Sequence, residues 1–83
     1  MKLKLKYFAS IRETIGVSTE ERSTTAQTLG ELRDELIGQG GAYALALARG
    51  KAVRMSMNQL MCEESAVLSD GCEVAFFPPV TGG

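Results

Sequence analysis

Residues 2–8 read Lys-Leu-Lys-Leu-Lys-Tyr-Phe, a strict alternation of polar and apolar side chains, and no other segment restricts the fold as strongly. Successive side chains of a strand point to opposite faces, so this period of two predicts a half-buried β-strand. Leu3, Leu5 and Tyr7 share one face, and Lys2, Lys4, Lys6 and Phe8 share the other. A strand with one apolar face needs a sheet beside it and a second layer to cover it. Residues 72–77, Cys-Glu-Val-Ala-Phe-Phe, predict a similar strand near the other end of the chain. There Val74 and Phe76 share the face assigned to the core, which leaves Ala75 and Phe77 facing out.

Between these strands the helical signal is concentrated in one place. Thr28-Leu29-Gly30-Glu31 has the form of a capping box, in which the Thr28 hydroxyl accepts from an early helix N–H and Glu31 reaches back. Leu29, Leu32, Leu36 and Ile37 follow as one apolar stripe, and Gly38, Gly40 and Gly41 stop the helix. Residues 42–48 predict a short Ala/Leu-rich helix that ends before Gly50. Residues 9–15 read as a loop or a short helical turn, and Gly16 permits a sharp turn into a polar strand at 17–23, at or near an edge. Residues 53–58 and 60–62 predict two further strands, and Asp70-Gly71 a turn. The order β-β-α-(α)-β-β-β predicts an α+β fold of the β-grasp type. A mixed sheet of about five strands packs on one main helix, with the first and last strands paired at its centre.

Composition narrows the function classes. The 83 residues suffice for one domain, and 45% hydrophobic content supports a core without disulfide or metal staples. A net charge of −1 gives no electrostatic footprint for nucleic acid. No apolar run approaches the ~18 residues of a membrane span, and the alternating start is not a signal-peptide run, so a cytoplasmic protein is expected. Cys62 and Cys72 match no CxxC metal spacing and read as buried or half-buried thiols. With no His in the chain, a His-based general base or triad is excluded. Glu20-Glu21 and Glu63-Glu64 read as solvated pairs, and no Gly-rich phosphate loop is present.

The chemistry-bearing feature is the closing segment, Phe76-Phe77-Pro78-Pro79-Val80-Thr81-Gly82-Gly83. A domain over residues 1–77 leaves a flexible tail over 78–83 that reaches about 20 Å when extended, at ~3.3–3.6 Å per residue. Each Pro ring fixes φ near about −65°, so Pro78 and Pro79 stiffen the exit from the domain. Gly82 and Gly83 carry no Cβ, so such an end can thread a narrow channel and present its terminal carboxylate. That carboxylate is ionised at neutral pH and is a poor electrophile, so it must be activated before a nucleophile can attack it. A Gly-Gly end also reads as simple fraying; the Phe-Phe-Pro-Pro before it favours the functional reading. Phe8, Phe77 and Met61 are candidates for an outward apolar patch that a protein partner covers, or for satellite packing under loops. Arg12 reads equally as a contact to a partner's acid and as an unengaged surface residue.

Residues 8–16 (Phe-Ala-Ser-Ile-Arg-Glu-Thr-Ile-Gly), Asn58-Gln59 and the whole of 68–83 carry a family resemblance. The chain resembles the β-grasp sulfur carriers that serve as small subunits of molybdopterin synthase and are similar to ubiquitin in fold. It departs from them at Cys72, where an acidic residue is common, and in a Met-rich 55–61 segment. The resemblance implies that an ATP-dependent enzyme adenylates Gly83 and that sulfur replaces AMP to leave a thiocarboxylate. The tail then enters the large synthase subunit and gives its sulfur to cyclic pyranopterin monophosphate. Two such deliveries complete one molybdopterin, and the usual assembly is a heterotetramer. On this resemblance Gly83 is the carrier residue, with Gly82 as clearance behind it. Phe8, Arg12, Met61, Phe77, Pro78, Pro79, Val80 and Thr81 are the candidate partner contacts. The chain itself binds no cofactor or metal and is a cosubstrate rather than a catalyst. A sulfur carrier of the thiamine or another pathway, and a ubiquitin-like modifier joined to lysines through Gly83, are the competing readings.

Overall fold

A computed structural model describes residues 1–79 of the 83. In chain order the elements are β1 (Lys2–Tyr7), α1 (Ala9–Ile15), β2 (Thr19–Ser23), α2 (Leu29–Gly38), α3 (Gly41–Leu47), β3 (Arg54–Met57), β4 (Leu60–Cys62) and β5 (Glu73–Phe77). The five strands form one mixed sheet in the order β2-β1-β5-β3-β4. The first and last strands, the two that bury the most side chains, pair in parallel inside it, with Leu5 opposite Val74 and Tyr7 opposite Phe76; every other pairing is antiparallel. A parallel pair cannot be joined by a hairpin, so the chain between its two members crosses through the helices and returns as β3 against β5.

The alternation in β1 is realised side chain by side chain. Leu3, Leu5 and Tyr7 are buried with Val74 and Phe76 against Leu29, Leu32 and Leu36 of α2. Full burial of side chains of this size is worth about 1.5–3 kcal/mol each, so this layer contact holds the molecule together. The cap of α2 forms as the sequence predicts: the Thr28 hydroxyl accepts from the Glu31 N–H at 3.2 Å. Glu31 reaches one residue further back than the simplest box, and its carboxylate accepts from the Gln27 N–H at 3.2 Å. At the start of β5, Gly71 has φ 80° and donates its N–H to the Lys2 carbonyl at 2.7 Å. Asp70 accepts from the Lys2 N–H at 2.8 Å, which sets the parallel register at its first residue.

Four expectations shift. Residues 9–15 form a full helix, because Ile11 buries into the core and Gly16, at φ 94°, closes the end by donating to the Arg12 carbonyl at 2.7 Å. β2 begins at Thr19, later than expected, because its first ladder partner is Lys6. β3 stops at Met57 because Asn58 and Gln59 both take positive φ, 50° and 70°, and turn the chain into β4. Asn58 is held there by a two-way bond with Glu73, N–H to carbonyl at 2.8 Å and Glu73 N–H to Asn58 Oδ1 at 3.0 Å. Glu20 and Glu64 are not simply solvated. Glu20 accepts from the Tyr43 hydroxyl at 2.7 Å, and Glu64 pairs with Arg33 and Arg49.

Tyr7 carries the one buried side-chain polar atom without a hydrogen-bond partner among the described residues. Its ring stacks on Phe76 with centroids 5.9 Å apart, and burial beside the Glu20 carboxylate raises its phenol far above the usual range. Tyr7→Phe keeps the ring and removes the unmet hydroxyl. Stability is therefore expected to stay level or rise by up to about 1 kcal/mol in denaturant titration. A loss above about 1 kcal/mol would show that the hydroxyl holds an ordered water.

Candidate functional site: the outer sheet face and the tail root

The side chains that alternate away from α2 make the outer face of the sheet, and the registers assign them to rows. Tyr7 opposite Phe76 puts Phe8 beside Phe77, and Phe77 stands opposite Arg54. The next row runs Lys6, Ala75, Ser56, Met61. Phe8 is 46% exposed and meets the half-buried Phe77 edge-to-face, with centroids 6.5 Å apart and an interplanar angle of 82°. Edge-to-face is the favoured geometry for such a pair. Met61 is 58% exposed and lies two strands from Phe77. Only the small Ala75 and Ser56 separate it from the Lys6 position in its row, so the three candidates border a shallow floor and do not form one stack. Leu60, at the β4 edge, is 71% exposed but belongs to the other face, in the row of Leu5, Val74 and Met57.

The opposite end of this face is polar. Lys2 pairs with Glu21 at 3.3 Å, and Lys6, one row in from Phe8, reaches back to Glu73 in the Lys4 row at 3.4 Å. Such exposed pairs contribute about 0–1 kcal/mol, so they keep this end wetted more than they hold the fold. The apolar end of the face is therefore the end from which the tail leaves β5. Pro78 and Pro79 follow directly and are half-buried. Pro78 lines a shallow depression with Ser10 and Ile11 of α1 and with Lys51 and Val53 before β3. Arg12 is exposed on α1, its N–H bonded to the Phe8 carbonyl at 3.2 Å. Val80, Thr81, Gly82 and Gly83 lie outside the described residues.

One structurally decisive residue has no motif in the sequence. Arg33 is 4% exposed beneath α2. It donates to the carbonyls of Leu47 at 2.8 Å, Ala48 at 2.8 Å and Lys51 at 3.1 Å, and its third nitrogen meets Glu64 at 3.4 Å. Burial, with Arg49 nearby, pulls its pKa below the ordinary guanidinium value. The signal was its position: 33 is four after Leu29 and three before Leu36, on the apolar stripe. Cys72 is buried and Cys62 half-buried, its thiol on the Leu60 carbonyl at 3.3 Å; both are free thiols. Among the described residues no group of three or more His, Cys, Asp or Glu could hold a metal, and no helix is long and apolar enough to cross a membrane.

Comparison with known proteins agrees with this architecture. The chain is 41% identical over 81 residues to the molybdopterin synthase sulfur carrier subunit of Escherichia coli, covering 98% of this chain and 99% of that one. In structure it resembles the small archaeal modifier protein 1 of Haloferax volcanii, with TM-score 0.76, 25% identity and coverage of 95% and 98%. It also resembles a chain from the complex of subunits 1 and 2 of the molybdopterin-converting factor of Helicobacter pylori, with TM-score 0.69, 25% identity and full coverage of both chains. The ThiS family model matches residues 5–83, and the chain belongs to the ThiS family.

Proposed function

We propose that this chain is the sulfur-carrying subunit of a molybdopterin synthase, with residues 1–77 as the docking domain and 78–83 as the delivery tail. The observation that carries the reading is the position of the tail root: the central strand β5 ends at Phe77, beside exposed Phe8, on the apolar end of the outer face. Identity of 41% to a curated sulfur carrier over nearly the full length supports it.

The chemistry follows from the terminal carboxylate. An oxygen of Gly83 attacks the α-phosphorus of ATP on an activating enzyme, pyrophosphate leaves, and an acyl adenylate forms. A sulfur nucleophile adds to the acyl carbon and AMP departs, leaving a thiocarboxylate. In the large subunit that sulfur is transferred to cyclic pyranopterin monophosphate, and two charged chains act per molybdopterin. Acid–base groups and phosphate-binding cations belong to the partners. Since ATP is consumed in the activation, the work is cytoplasmic. Resemblance to an archaeal modifier protein favours, as second reading, conjugation of Gly83 to lysines, which shares the adenylation step.

Intact mass separates the readings. Incubation with ATP, a sulfur donor and the activating enzyme should add the difference between sulfur and oxygen. Addition of the large subunit and cyclic pyranopterin monophosphate should then reverse it. A thiocarboxylate that persists would reject the molybdopterin assignment, and a chain that never gains sulfur would reject the carrier class. The docking domain adds a second expectation. Phe77→Ala should weaken binding to the large subunit by about tenfold or more, the scale of an interface anchor, measured by calorimetry. It should leave the unfolding midpoint nearly in place; the reverse pattern would make Phe77 a fold residue.

A further inference from the structure

Of the nine Lys and Arg, most are paired within the fold: Lys2 with Glu21, Lys6 with Glu73, Arg22 with Glu35, Arg33 with Glu64, and Arg49 with Asp34 and Glu64. The cations without a carboxylate among the described residues are Lys4, Arg12, Lys51 and Arg54. Three of these gather at one end of the molecule, around the tail root. Arg54 stands opposite Phe77 in the β3–β5 register. Lys51 lines the depression that Pro78 closes. Arg12 sits on α1, which supplies Ser10 and Ile11 to the same depression. All three are exposed, and the carboxylate in these segments is Glu13 alone. The chain as a whole is at −1, so this end is positive against the sign of the whole.

We infer that Arg54, Lys51 and Arg12 form a cationic collar around the tail root, which steers this end onto a partner protein whose tail-receiving cleft is rimmed with Asp and Glu. The inference rests on the proposed delivery of the tail into a partner. The cations come from three separate segments, Arg54 beside Phe77 and Lys51 and Arg12 on the segments that meet Pro78, next to the apolar pair Phe8 and Phe77. That is the layout of an interface with an apolar core and a polar rim. A single phosphate would call for donors converging on one point, whereas spread cations suit carboxylates distributed round an entrance. Exposed rim charges act mainly on the association rate and its salt dependence, and little on dissociation.

The test is stopped-flow binding of the full chain to the large subunit of molybdopterin synthase. Lys51→Glu/Arg54→Glu should slow association about tenfold or more at ~20 mM ionic strength. At ~500 mM, where charges are screened within a few ångströms, the gap should close to about twofold. Dissociation should change by less than about twofold. Arg54→Lys should keep the wild-type rate. Lys2→Glu makes the same change per residue at the far end of β1 and should have little effect. The collar is overturned if the double variant associates at the wild-type rate in low salt, or if Lys2→Glu slows association as much per charge. If the double variant does not fold, the neutral Arg54→Gln carries the same test with a threefold slowing expected. A wild-type chain that does not bind the large subunit at all overturns the proposed function together with the collar. Wild-type binding with an indifferent double variant overturns the collar alone.

Discussion

Deletion of Gly83 should reduce sulfur transfer below about 1% of wild type while the domain stays folded. The deletion keeps a terminal carboxylate, now on Gly82, so the chemical group survives and only its position changes. One residue of extended chain is ~3.3–3.6 Å. A misplacement of about 1 Å at a reacting centre already costs on the order of 100-fold, so a shift of a whole residue leaves the acyl carbon out of reach of each partner's groups. The fold should not register the loss. The core ends at Phe76 and the sheet at Phe77, and a terminal residue beyond them is expected to change stability by less than about 0.5 kcal/mol. Intact-mass measurement after activation, a transfer assay with the large subunit and a thermal melt together make the check. Transfer near the wild-type level would remove Gly83 from its assigned role, and a melting point lowered by many degrees would show that the tail is part of the packing.

The residues that could be read in advance are those where one local rule suffices. Parity alone separates Leu5 from Phe8 and Phe76 from Phe77, because both strands sit at the sheet centre with one face covered. The Thr28 cap forms because its partner is three residues away. What escaped depends on distant partners. α1 has only Ile11 and Ile15 as an apolar stripe, too little for a helix on its own; burial of Ile11 against the core completes it. Glu64 looks solvated until α2 and residue 49 are brought to it. The candidate site divides in the same way. That Phe8 faces outward was legible, but the placement of Met61 beyond Ser56, and of Arg54 beside Phe77, required the order β5-β3-β4.

Arg33→Ala should be strongly destabilising, by about 3 kcal/mol, a cost on the scale of truncating a core side chain. For a domain of this size that corresponds to a fall in Tm on the order of 15 °C. The guanidinium closes the end of α3 by donating to the Leu47 carbonyl and to the Ala48 carbonyl, which also accepts from the Lys51 N–H at 2.9 Å, and it holds the Lys51 carbonyl as well. Its removal takes the side-chain donors from the Leu47 and Lys51 carbonyls, leaves Ala48 only the Lys51 N–H, and takes one partner from Glu64. Two further variants separate the causes. Arg33→Met keeps most of the apolar stem and none of the donors, so it should recover only the packing share of the loss. Arg33→Lys supplies one compact donor group where the fork reaches several carbonyls, and should recover part of the rest. If Arg33→Met were as stable as wild type, the carbonyls would be finding water, and the residue would be a packing element only. Function should follow the fold and not the charge. Lys51 and Val53 flank Pro78 from the connection that Arg33 holds, so transfer by Arg33→Ala should fall as temperature approaches its lowered Tm. Well below that temperature it should stay close to wild type, because the guanidinium is buried away from the outer face.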